Sequence, residues 1–150
     1  MKELTELLTI RKVSMNDAEA MTHIMSELGY RTSLENMAAR MERIAFDPTH
    51  CTFVADLDGE VVGMIHLRTV LSYLNDNVSA QVSTLITKSE FRGQGVGKEL
   101  MFRGEQWAKE QGAQSLLLNS GIKKEREEAH RFYENRGYSI TGYRFSKSLL

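Results

Sequence analysis

The sequence predicts a mixed α/β domain with helices on both faces of one sheet. Three observations carry this. β-rich runs and helical repeats of apolar residues follow each other in the order β-α-α-β-β-β-α-β-α-β. One strand, residues 80–89, runs through the glycine-rich segment FRGQGVGKEL (91–100) directly into a helix. The chain has 150 residues, 41% of them hydrophobic and 26% charged, which suits one globular domain spanning 1–150.

The elements follow from local pattern. LLTIRKVS (7–14) is rich in β-branched and apolar residues and predicts a strand. Ser14 or Asn16 can cap the helix that follows, in which Ala20, Met21, Ile24, Met25 and Leu28 recur at helical spacing before Gly29 stops it. A second helix fits 33–46, with Leu34, Met37, Met41 and Ile44 on one face and Pro48 beyond its end. TFVADLDGEVVGMIHLRTV is a hairpin about Asp58-Gly59, a favoured two-residue turn. LSYLNDNVS is polar enough for a loop, and AQVSTLITKS (80–89) is the next strand. The helix after the glycines carries Val96, Leu100, Gly104, Trp107 and Ala108 on one stripe, and Gly112 ends it. Gly104 costs about 1 kcal/mol against alanine in a helix interior, a cost that close packing on the sheet would justify. QSLLLNS predicts a short buried strand, KKEREEAHRFYENRG a helix ending at Gly137, and YSITGYRFSKSLL a final strand.

Composition narrows the function. The formal net charge is -1, so no overall basic field draws nucleic acid, and anion binding must be local. No apolar run reaches the roughly 20 residues of a membrane span. The N-terminal MKELTELLTIRKVS lacks the apolar stretch and small-residue cleavage site of a signal peptide. Cys51 is the single cysteine; it reads as a small buried hydrophobe and fits a reducing, cytoplasmic setting.

A strand that passes through glycines into a helix presents free N–H groups at the helix's positive end, which is an anion site. Spacing discriminates among phosphate loops. For a Walker loop, Gly97-Lys98 is followed by Glu99 where Ser or Thr is required, and the first glycine would fall at Arg92. For G-x-G-x-x-G the third glycine would fall at Lys98 or Leu100. What remains is R-x-x-G-x-G: Arg92, Gly95 and Gly97. This pattern resembles the acetyl-CoA pyrophosphate loop of the GNAT N-acetyltransferase superfamily. An independent segment, EEAHRFYENRGY (127–138), resembles that superfamily's A-x-x-F-Y-x-x-x-G-[FY] through Ala129, Phe132, Tyr133, Gly137 and Tyr138. The resemblance covers nearly the whole chain and is weakest over 15–50. DGEVVGMIHL, AHRFYENRGY and YRFSKSLL look closest to the branch of aminoalkylphosphonate and aminoglycoside 6'-N-acetyltransferase-like proteins.

The resemblance implies a GNAT (acyl-CoA N-acyltransferase) fold and direct transfer of an acetyl group from acetyl-CoA to a small-molecule primary amine. Acetylation of a protein amine, or acyl-CoA binding without turnover, are the alternatives. The amides of Gly93, Gln94, Gly95, Val96, Gly97 and Lys98 would wrap the pyrophosphate, with charge from Arg92 and Lys98. The backbone of Leu85, Ile86 and Thr87 would pair with the pantetheine arm, and an N–H there would face the acetyl oxygen. Tyr133 falls on the tyrosine that protonates the coenzyme A thiolate; a phenol of pKa about 10 stays protonated at neutral pH. Arg126 and Asn119 match positions that contact the cofactor. Phe132 is expected in the core.

The base is not legible. Relatives carry a glutamate at positions matching Gln81 or Thr84, and neither is a carboxylate here. His66, His23, Glu27 and Asp76 are alternatives without a spacing argument, His130 is expected to face solvent, and His50 has no role. Some aminoalkylphosphonate relatives bind a metal; without H-x-x-x-H, paired cysteines or a carboxylate at 81, none is expected here. Residues 22–35 and 70–80 would shape the acceptor site, with Met21, Met25, Met37 and Met41 as core packing or as an adaptable lining. Arg31 or Arg68 would pair an anionic group of the acceptor. The family's habit of pairing through final strands implies a homodimer through YRFSKSLL.

Overall fold

A computed structural model describes residues 4–150. The chain divides into two units, Met1–Leu117 and Leu118–Leu150. The first unit runs α1 (Leu4–Leu7), β1 (Leu8–Lys12), α2 (Ala18–Glu27), α3 (Leu34–Ala45), β2 (His50–Leu57), β3 (Glu60–Val70), β4 (Val78–Thr87) and α4 (Val96–Glu110), then all but the last residue of β5 (Ala113–Leu118). The strands form one sheet in the order β1-β2-β3-β4-β5. β1 to β4 are antiparallel neighbours. β5 follows β4 through helix α4, the kind of crossover that parallel neighbours require.

Local chemistry explains the boundaries. A 3-10 turn, Met15–Asp17, opens α2. There the Asn16 N–H donates to Ser14 Oγ at 3.1 Å and the Ser14 N–H donates to the Asp17 carboxylate at 2.8 Å, a reciprocal cap. Gly29, at φ +88°, ends the helix. Ser33 caps α3 by accepting from the Asn36 N–H at 3.0 Å. Asp58 and Gly59 both take positive φ, +49° and +97°, the conformation of the tight hairpin turn predicted there.

Helices cover both faces of the sheet, as expected. On one face Met21 and Ile24 of α2 and Met37 and Met41 of α3 pack against Val54, Met64 and Ile86. On the other lies α4, with Val96, Leu100, Met101, Trp107 and Ala108 buried. Gly104 is the point of contact with the sheet: a Cβ there would come within 3.0 Å of Ile65 Cδ1 and 3.1 Å of Leu67 Cδ2. The helix accepts glycine's entropy cost for this close approach. The Arg103 guanidinium lies over the Phe53 ring, 4.4 Å from its centre.

Three expectations are corrected. Leu34 is 52% exposed and does not join the buried stripe of α3, whose buried residues are Met37 and Met41. β5 is not a buried strand; Leu117 is 45% exposed. Residues 138–150 form no strand. A strand needs a hydrogen-bonded neighbour, and no strand of the described residues pairs with this segment. Its apolar residues Ile140, Tyr143, Phe145 and Leu149 stay 82% to 92% exposed. The second unit therefore consists of a 3-10 turn, Lys124–Arg126, then α5 (Glu127–Glu134) and this tail without regular secondary structure.

One ion-pair cluster ties α2 to the sheet. Arg11 of β1 bonds Asp17 twice, at 2.8 and 2.9 Å, and Asp56 of β2 once, at 3.0 Å. Among the described residues Asp17 is the one buried charge, at 7% exposure. The bonds from Arg11 hold its carboxyl below the usual range, against the opposing effect of burial. A carboxyl depressed on folding stabilises fully above its unfolded pKa of about 3.9, and this contribution fades as pH falls through the folded value. Replacing Asp17 with Asn should cost about 2–3 kcal/mol at pH 7, since it leaves Arg11 half-paired. Urea unfolding at pH 7 and pH 3 checks both parts: the gap between wild type and variant should narrow at the lower pH.

Candidate active site

The glycine segment places backbone amides at the end of α4. After β4 a 3-10 turn, Ser89–Phe91, leads into Arg92. Gly93 and Gly95 then take φ of +75° and +90°, and Gly95 is the N-cap of α4. Nothing lies within 4 Å of a Cβ built at either position. The backbone conformation therefore demands these glycines, and the space around them stays open. The first helical bond runs from the Glu99 N–H to the Gly95 carbonyl at 3.1 Å. The N–H groups of Val96, Gly97 and Lys98 precede that bond and have no partner in the helix. They stand at the positive end of a 15-residue helix.

Side chains brace this loop. Arg92 donates from Nε to the Thr87 carbonyl at 3.3 Å, and Gln94 from Nε2 to the Glu90 carbonyl at 3.1 Å. The structure thus joins the predicted arm-binding strand end to the predicted phosphate loop. Leu85, Ile86 and Thr87 pair with Ile65, Met64 and Gly63 of β3. Ile86 is 4% exposed and points into the core, so only its backbone is available to a ligand. Lys98 is exposed.

A β-bulge lies just before this segment. His66 pairs with Thr84 and Leu67 with Val82, so Ser83 has no partner. The bulge turns Thr84 toward a cavity of about 340 Å³ beneath α2 and α3. Met21, Met25, Met37 and Met41 all line it, together with Lys12, Arg40, His50, His66 and Thr84. The lining contains no carboxylate. Cys51 also faces it; burial pushes its thiol pKa up, which keeps it an unreactive thiol.

The base candidates separate in position. Gln81 is engaged by Arg68, whose Nε and Nη2 donate to its Oε1 at 3.1 and 2.7 Å. That leaves Arg68 committed within the sheet. His23 is on the outer surface of α2, 3.9 Å from Glu19. Glu27 is exposed and accepts from Ser89 Oγ at 3.5 Å. Asp76 is on an exposed loop. His66 alone among them lines the cavity. His50, which sequence reasoning passed over, meets it: His50 Nδ1 and His66 Nε2 are 2.8 Å apart. The rings stack with centroids 5.0 Å apart. Burial, reinforced by His50 and Arg68, lowers the His66 pKa to about 4. A signal existed in the pairing of hairpin strands: Thr52 opposes His66, placing His50 diagonally across on the same face.

The second unit holds the remaining predicted residues. Tyr133 is half-buried on α5, edge-on to Phe132 at 5.4 Å and to Tyr138 at 6.1 Å. Burial raises its pKa, opposed by the charge of Arg126, so the phenol stays protonated and able to donate. Arg126 donates to Ser120 Oγ at 3.4 Å. Asn119 is exposed just after β5. Phe132 is half-buried beneath the Arg136 guanidinium and is not a core residue. His130 does not face solvent alone; its Nε2 lies 2.7 Å from the Gly121 carbonyl oxygen. Among the described residues no group of three or more His, Cys, Asp or Glu is placed to hold a metal ion.

Comparison with known proteins gives the family and the fold. Residues 18–138 match the model of the acetyltransferase (GNAT) family. The chain is 33% identical over 126 residues to an aminoalkylphosphonate N-acetyltransferase of Salmonella typhimurium, covering 84% of this chain and 78% of that protein. It is 26% identical over 137 residues to an aminoglycoside N(6')-acetyltransferase type 1 of Stenotrophomonas maltophilia, covering 89% and 87%. Its fold is similar to an aminoglycoside N-acetyltransferase solved in complex with CoA, with a TM-score of 0.81 over 95% of each chain at 16% identity.

One further glycine sets this geometry. A Cβ on Gly63 would lie 2.8 Å from the Ile86 carbonyl oxygen, 3.1 Å from Leu100 Cδ1 and 3.2 Å from Val96 Cγ1. Because the nearest atom is backbone, Gly63→Ala must push the end of β4 outward. Thermal unfolding should report a loss of about 1–3 kcal/mol, in the range of an overpacked core.

Proposed function

The chain belongs to the GNAT acetyltransferase family, and from that membership we propose that it transfers an acetyl group from acetyl-CoA to a primary amine of a small molecule. The observation that carries this is the loop of 92–98, braced against the end of β4 and opening α4 with three free amides. These residues suit a pyrophosphate: fixed amides, a helix N-terminus, and glycines with no Cβ in the approach.

Arg92 and the amides of Gly93 to Lys98 hold the diphosphate end of acetyl-CoA. The backbone of Leu85, Ile86 and Thr87 aligns its arm, and an N–H of this segment takes up charge on the acetyl oxygen. Arg126 and Asn119 contribute to cofactor contact. The acceptor amine, freed of one proton, attacks the thioester carbon; the C–N bond forms as the C–S bond breaks. Tyr133 gives its proton to the departing thiolate and is restored by the second proton that the nitrogen loses as the amide forms. When bound, acetyl-CoA supplies the activated acetyl group. The methionine-lined cavity receives the acceptor, since unbranched thioether side chains adapt to varied shapes.

The reading extends to a single GNAT domain over 1–150 acting in the cytoplasm. It is supported by the unpaired, buried Cys51 and by the lack, among the described residues, of a helix long and apolar enough to cross a membrane. A homodimer that covers the exposed apolar residues of 140–149 belongs to the same reading.

Thiol release from acetyl-CoA tests it, measured against aminoalkylphosphonates, aminoglycosides, polyamines and a short peptide. Turnover with a small amine is expected, and turnover with the peptide alone would assign a protein acceptor. With the productive amine, Tyr133→Phe should lower kcat about 100-fold while acetyl-CoA affinity holds. Binding of acetyl-CoA without thiol release from any acceptor would mark a non-catalytic module.

A further inference from the structure

The acceptor cavity contains a route for a proton. His66 lines the cavity on β3 and faces His50 of β2, Nε2 to Nδ1 at 2.8 Å. His50 in turn has its Nε2 3.5 Å from Asp47 Oδ2. Asp47 is fixed at the surface by Thr49, whose N–H and Oγ1 donate to it at 3.0 and 2.6 Å. These three side chains run from the cavity wall to solvent: Asp47 is 46% exposed and His50 23%. We propose that His66 is the base that receives the acceptor's proton, with His50 and Asp47 as the positioning residues that carry it to water. This rests on the reading of the protein as an amine acetyltransferase.

The His50–His66 hydrogen bond and the ionic contact of His50 with Asp47 assign the tautomers. The hydrogen bonds from Thr49 hold the Asp47 carboxyl below its usual range, so it is ionised and calls for an N–H on His50 Nε2. A neutral His50 then has a bare Nδ1, which accepts from His66 Nε2–H. His66 is left with its lone pair on Nδ1. When Nδ1 takes a proton from the substrate ammonium, the Nε2 proton passes to His50 and the His50 Nε2 proton passes toward Asp47 and water. One proton enters and one leaves.

Without the relay His66 would be a poor base. At a pKa of about 4 the ring does not keep a proton against an ammonium of pKa about 10. Passing the proton on removes that need. The charges around the cavity favour the same direction. Lys12 from β1, Arg40 from α3 and Arg68 beside His66 on β3 are cations, α2 contributes methionines and β4 contributes Thr84. A second cation is disfavoured among them, so a bound amine sheds its proton more readily. The position also fits. His66 pairs across the strands with Thr84, next to Leu85, where the thioester is placed in the proposed function.

Imidazole ¹⁵N NMR tests the tautomers without any acceptor. His66 should remain neutral from pH 5 to 9, protonated on Nε2 and bare on Nδ1; a protonated Nδ1 would overturn the proposal. Steady-state kinetics with 2-aminoethylphosphonate and acetyl-CoA test the role. His66→Gln should lower kcat about 100-fold at pH 7 with KM for acetyl-CoA unchanged. The deficit should shrink toward pH 10, where the amine is already free. His50→Gln and Asp47→Asn should show smaller losses with the same pH trend, and His23→Gln should show none. A loss equal at every pH, or none, rejects the relay. If the wild type acetylates neither this probe nor any other amine, it is the acetyltransferase reading that fails, and the NMR result alone decides the His50–His66 arrangement.

Discussion

Three elements meet at one missing side chain. Gly63 of β3 lies where a Cβ would strike the Ile86 carbonyl oxygen, Val96 and Leu100 together. Because it has none, the end of β4 and the first turn of α4 close onto the same point of the sheet. The amides at the start of α4 and the backbone of 85–87 are placed by this contact. Arg92 then spans the two by bonding the Thr87 carbonyl. Gly104, one helical stretch further on, repeats the solution against Ile65 and Leu67. The helix that offers its N-terminus to an anion is therefore held along its length by glycine-mediated contact, where larger side chains would hold it away.

The sheet separates two tasks. Its α4 face anchors the helix that follows the glycine loop through close apolar packing. Its opposite face, under α2 and α3, keeps an adaptable methionine-lined space with histidines in its wall. The bulge at Ser83 lies where the tasks meet: before it β4 pairs in one register, and after it Thr84 faces the cavity while Leu85 to Thr87 continue toward the loop. The methionine-lined cavity and the braced loop rest on different faces of the same strands.

Much of this was legible in residue pattern. Helical spacing found α2, α3 and α4, the Asp58-Gly59 turn found the hairpin, and glycine spacing found the loop at 92–98. Each is a local signal within a few residues. What escaped depends on partners distant in sequence. Gly63 looks like any strand glycine until Ile86 and Val96 are laid on it. His50 and His66 are 16 residues apart and meet only because the hairpin register brings them together. Gln81 could be excluded as a carboxylate by identity, but its engagement by Arg68 required the β3–β4 pairing. The tail 138–150 shows the converse. Its β-rich pattern is real, yet pattern does not supply a neighbouring strand, and its apolar residues stay exposed.

The proposed chemistry depends on the glycine loop as a cradle for a diphosphate. Isothermal calorimetry of acetyl-CoA into the intact protein measures this most directly. Micromolar binding of one acetyl-CoA per chain, weakening as salt rises, is the predicted result. Absence of binding at millimolar acetyl-CoA would contradict the assignment of residues 92–98, and with it the chemistry built on them.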